Sequence, residues 1–89
     1  MLRSYQELDV FKRSLKLVTE VYRITGKLPP EERFGLTSQM RRAAVSVSAN
    51  IAEGYGRFTR GEYLNHLSSA NGSLFEVEAL LIICQDLRF

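Results

Sequence analysis

The sequence predicts an all-α fold, an antiparallel up-down helical bundle. Three observations predict it. Apolar residues recur at three- and four-residue spacings over three long stretches. Capping boxes open the first and third stretches. No alternating strand pattern, hairpin turn, repeat or linker interrupts the 89 residues, which form one domain over 1–89. Hydrophobic residues make up 45% and charged residues 25%, a globular balance that argues against disorder. Helices are expected at about 5–25, 38–54 and 60–87.

The first helix opens on Ser4-Tyr5-Gln6-Glu7, where hydroxyl and carboxylate can each satisfy a first-turn amide. Leu8, Phe11, Leu15, Val18 and Tyr22 form its main stripe, and Gly26 with Pro29-Pro30 ends it. A second apolar set, Val10, Leu17, Val21 and Ile24, lies on another face. That surplus face needs a cover, so these four residues are the expected contact with another subunit.

The second helix is expected to be capped by Thr37 or Ser38 and stopped by Gly54. Leu36, Met40, Ala44, Val47 and Ile51 make its stripe, while Ala43, Ser46, Ser48, Ala49 and Ala52 leave it smooth enough for close packing. Gly54 and Gly56 make the reversal. The third helix starts at Thr59-Arg60-Gly61-Glu62, and its half from Leu74 to Leu87 is apolar almost all round. Two helices leave that half partly uncovered. The longest clean apolar run, Ala79 to Cys84, is well short of the ~20 residues of a membrane span. With no apolar signal core in residues 1–10, a cytoplasmic chain with no membrane partner is expected.

One Cys, Cys84, and one His, His66, exclude a disulfide framework and a metal cluster built on several such ligands, so no cofactor is expected. Net charge is only +2, but residues 33–60 hold Arg33, Arg41, Arg42, Arg57 and Arg60 against Glu53 alone. Residues 61–89 hold Arg88 against Glu62, Glu76, Glu78 and Asp86. The basic middle therefore faces either a phosphate-bearing partner or the acidic last third. Arg57 and Arg60 sit where helix-end amides add anion affinity, whereas Arg41 and Arg42 point about 100° apart and are not expected to share one contact. No aromatic platform for stacking bases is evident. Asn50, set among small and apolar residues, is expected to bond across helices, and Glu53 needs a cationic or amide partner at its helix end. Gly54-x-Gly56 follows a helix rather than a strand and is no dinucleotide fingerprint. Gly72 is expected to mark close approach of the third helix to the second. No constellation for bond-making chemistry is present, so no enzyme is expected.

The stretches Glu32-Arg33-Phe34-Gly35-Leu36-Thr37-Ser38-Gln39-Met40-Arg41-Arg42-Ala43-Ala44, Ser46-Val47-Ser48-Ala49-Asn50-Ile51-Ala52-Glu53-Gly54-Tyr55-Gly56-Arg57 and Gly72-Ser73-Leu74-Phe75-Glu76-Val77-Glu78 carry a resemblance. Through them the whole chain resembles the bacterial four-helix bundle family that includes proteins encoded in intervening sequences of large-subunit ribosomal RNA genes. The family also includes the accessory variability determinant of diversity-generating retroelements. The resemblance implies antiparallel bundles that assemble as homopentamers and, for the retroelement protein, binding to a reverse transcriptase and to nucleic acid. The chain departs in ending where helix three does, so the fourth helix is expected to be absent. Two functions follow as expectations. One is a non-enzymatic, homo-oligomeric accessory protein that binds RNA, DNA or a nucleic-acid enzyme through Arg41, Arg42, Arg57 and Arg60. The other is a protein–protein scaffold whose arginines are paired internally.

Overall fold

The capping box at Ser4 opens a helical turn, but a short one. In the computed structural model, which describes residues 4–89, Ser4 Oγ accepts from Gln6 N at 3.2 Å and a 3-10 turn covers Tyr5–Glu7. Residues 1–3, part of the segment read for a signal core, lie outside the described residues. Leu8 is extended (φ −71°, ψ 130°), and helix α1 begins afresh at Asp9, spanning Asp9–Thr25. The expected single helix from 5 is thus two pieces.

Helix α2 spans Leu36–Tyr55, longer at both ends than expected. Thr37 and Ser38 are inside it. Its N-cap is Gly35, and the capping oxygen comes from Glu32 Oε1, which accepts from Leu36 N at 3.2 Å. A carboxylate at that end is favoured by the helix dipole. Gly54 does not stop the helix; it is buried inside the last turn, and Gly56 is the C-cap. Helix α3 spans Arg60–Asp86, with Thr59 Oγ1 accepting from Glu62 N at 3.1 Å. It closes in a Schellman motif: Arg88 takes the left-handed conformation (φ 62°) and Phe89 N donates to Cys84 O at 3.0 Å.

Among the described residues the fold is all-α, with no strand. Helix α2 lies between the other two, and no Cα of α1 comes within 8 Å of one in α3. Small residues make this possible: Ala43, Ala44 and Ser48 are buried on α2, as is Ala70 on α3. The larger core cluster joins Val21, Met40, Val77, Leu80 and Cys84, and a smaller one joins Val47, Ile51 and Ala70. Among the described residues only Met40, Val21 and Val77 are large and below 2% exposure, each worth about 1.5–3 kcal/mol of burial, so the core is thin. A buried hydroxyl pair bridges α1 and α2, Ser48 Oγ donating to Ser14 Oγ at 2.7 Å and Ser14 Oγ donating to Phe11 O at 2.6 Å.

Much apolar surface stays outside. Accessible surface is 6439 Å², against about 5,300 Å² for a folded monomer of this mass. Radius of gyration is 14.4 Å, against about 12 Å for a compact 89-residue domain. Leu74, Phe75, Ile82, Ile83 and Leu87 on α3 and its cap are all exposed. Of the four residues expected to face another subunit, Val21 is in the core of the single chain, because α2 and α3 cover that side of α1. Leu17 and Ile24 are half-buried, and Val10 is exposed beside a small apolar groove with Leu17, Val47, Ile51 and Leu74. Gly72 marks no close approach: a Cβ there would meet nothing within 4 Å.

Taken whole, α3 is long and apolar enough to cross a membrane, with an 18-residue window of mean hydropathy 1.3. Glu76 and Glu78 lie on this same helix, and a carboxylate at the centre of a span costs about 2.5–3.5 kcal/mol.

Candidate functional site

The fold gathers arginines that the sequence separates. A groove of about 770 Å³ runs along the N-terminal half of α2. Arg41 and Arg42 both line it, with Ser38 and Val45 one turn to either side. Tyr22, from the end of α1, forms one wall, and Arg33 with Phe34, from the loop before α2, forms the rim. Among the described residues, no carboxylate lines it. Arg41 and Arg42 therefore share one surface after all: the groove is wide enough to take adjacent positions of one helix. Tyr22 and Phe34, twelve positions apart in the chain, are brought by the fold to line the same groove.

Each arginine is held differently. Arg41 Nε donates to Thr25 Oγ1 at 2.8 Å, and its guanidinium lies 4.4 Å from the centroid of the Tyr22 ring. Two of its five N–H groups donate back to α1, to Thr25 Oγ1 and Tyr22 O. Arg42 Nη2 donates to Ser38 Oγ at 3.1 Å. Arg33 stands over Phe34, 5.4 Å from its centroid, and the Phe34 ring is 88% exposed. Arg23 stays out of the groove. It donates twice to Glu20, and that hydrogen bonding holds the Glu20 carboxyl below its ordinary value while raising Arg23.

Arg57 and Arg60 lie elsewhere. Arg57 Nη2 is 3.3 Å from Glu53 Oε1, and Arg60 is exposed on the first turn of α3. Glu53 also has His66 Nδ1 at 3.6 Å. His66 Nδ1 is 3.1 Å from Asn50 Oδ1, and Asn50 Nδ2 donates to Ser46 O at 2.9 Å. Ser73 Oγ donates to Ser46 Oγ at 2.9 Å. These side chains form a polar seam between α2 and α3, in which each amide, hydroxyl and imidazole finds a partner. The Gly54 backbone lets the seam close, since a Cβ there would stand 2.8 Å from His66 Cβ. Among the described residues, no group of three or more His, Cys, Asp or Glu is placed to hold a metal ion.

Planar, delocalised cations suit phosphates and carboxylates alike, and the exposed Phe34 ring offers an apolar surface beside them. Helix periodicity alone could have paired Ser38 with Arg42, but Tyr22 and Arg33 enter through contacts with no local signal. A search of curated proteins finds no match. The family model described as 23S rRNA-intervening sequence protein matches residues 6–89. That match spans the three helices and the groove, and the chain belongs to the 23S rRNA-intervening sequence protein family.

Proposed function

We propose that the chain is a non-enzymatic, homo-oligomeric, cytoplasmic accessory protein that binds nucleic acid, or an enzyme acting on it, through its arginine-bearing surface. The observation that carries this reading is the groove: Arg33, Arg41 and Arg42 converge on it with no opposing carboxylate among the described residues. Repetition around an assembly multiplies a modest patch, since one long polyanion engages several copies at once. The exposed apolar face of α3 and the surface in excess of a monomer's support self-association, and the resemblance to the bundle family implies five copies. The helices are read as antiparallel up-down neighbours, which the falling order of partners supports: Ser14 meets Ser48, and Thr25 meets Arg41.

The test is a binding titration with labelled RNA and DNA at about 50 mM and about 200 mM salt. Affinity should fall steeply with salt and weaken across sequences in Arg33→Ala and Arg42→Ala. Absence of binding at low salt, with the assembly intact, contradicts direct contact.

A second reading is a protein–protein scaffold. It is favoured by the in-chain partners of Arg41 and Arg57, namely Thr25, Tyr22 and Glu53. In that case Arg41→Ala or Arg42→Ala dissociates the assembly, and nucleic acid leaves its elution unchanged.

A further inference from the structure

Phe34 is the least explained side chain of the groove. Its ring is 88% exposed and packs into neither core cluster, with the Arg33 guanidinium standing over it. With the Arg33 guanidinium over it and Arg41 and Arg42 lining the same groove, this exposed ring gains contact area when a flat, negatively charged partner lies along it. Building on the nucleic-acid reading above, we propose that this groove binds a single strand, with a base stacked on Phe34 and neighbouring phosphates held by Arg33, Arg41 and Arg42. In a duplex the bases are stacked inside and a rim phenylalanine meets only backbone, whereas an unpaired base offers its face to any ring. The other groups fit the same strand. Arg42 donates to Ser38 Oγ, which leaves the Ser38 proton for a phosphate oxygen. Arg41, fixed by Thr25 and Tyr22, needs little reordering to present its remaining N–H groups. From Ser38 to Val45 the helical wall rises about 10 Å, enough for more than one nucleotide unit. A lining without carboxylates gives charge complementarity to a polyanion along that length.

The chain contains no Trp, so Phe34→Trp installs a single indole at the rim. Its fluorescence is followed against oligo(U), oligo(dT) and a duplex of the same length. Quenching by the single strands and not by the duplex is the expected result; oligo(U) bound more tightly than oligo(dT) assigns RNA, and equal binding assigns the phosphate and base alone. Phe34→Ala should weaken single-strand binding about tenfold with no change in salt slope. Arg42→Ala should reduce that slope by about 0.7 for each phosphate it no longer neutralises. An unchanged helical circular-dichroism signal in each variant confirms folding. Equal quenching by the duplex, or full affinity in Phe34→Ala while the unaltered chain still binds in a salt-dependent way, overturns the single-strand site and leaves the broader reading standing. No binding of any strand at low salt overturns both and returns the groove to a protein partner.

Discussion

Gly54 on α2 and His66 on α3 approach so closely that a Cβ on the glycine would stand 2.8 Å from the Cβ of the histidine. The near atom belongs to the stem of His66, next to its backbone, and the Tyr63 carbonyl is 3.4 Å away, so neither can swing aside cheaply. Gly54→Ala should therefore cost about 1–3 kcal/mol in denaturant unfolding, despite alanine's better helix propensity. Gly72→Ala has open space and should stabilise by about 0.5–1 kcal/mol. Two identical substitutions of opposite sign separate close approach from propensity. Equal effects would contradict the packing described.

Arg41 and Arg42 are adjacent, but of the two only Arg41 ties two helices together. Arg41→Ala removes the hydrogen bond to Thr25 Oγ1 and the stacking on the Tyr22 ring. Thr25 Oγ1 still donates to Val21 O at 2.7 Å, so no buried hydroxyl is orphaned. The expected cost is about 1–2 kcal/mol, read as a lower midpoint in thermal or denaturant unfolding. Arg42→Ala removes an exposed hydrogen bond to Ser38 on its own helix and should stay within about 0.5 kcal/mol.

Burial pushes the Cys84 thiol above its ordinary value of 9.0, and the negative charge of Glu32 adds to the effect. Above pH 9.0 the unfolded chain releases this proton while the native chain keeps it, so the unfolded state binds fewer protons and stability falls as pH rises. The contribution is complete below the unfolded value and disappears through the alkaline range. Unfolding followed from about pH 8 to about pH 10.5 should show this loss, and Cys84→Ala should flatten it. A thiol reagent should react with the native chain slowly and with the unfolded chain fast.

How much of the fold is legible in the sequence depends on whether the deciding contact is local. The start of α3 is legible, because Thr59 and Glu62 form their cap within one turn. The start of α2 is not: its capping oxygen comes from Glu32, one 3-10 turn upstream, and the serine and threonine that look like caps lie inside the helix. By pattern Gly54 is a stop and Gly72 a close approach. The structure makes Gly54 the close approach and leaves Gly72 in open space inside α3, because a glycine in a helical pattern says nothing about which neighbour faces it. Val21 belongs to the apparent surplus face only until α2 and α3 close over it. The groove is hidden for the same reason. Tyr22 and Arg33 come to line one groove with Arg41 and Arg42 only once the loop has turned α2 back along α1. The exposed half of α3 is legible, since no helix of this chain has enough apolar face left to cover it.

Sedimentation equilibrium over a wide concentration range tests the need for self-association most directly. The expected result is a mass several times 10.2 kDa that persists on dilution and falls in Phe75→Glu with Ile82→Glu, two exposed apolar positions outside both core clusters. A single 10.2 kDa species at every concentration, with no binding of an apolar dye, would contradict it.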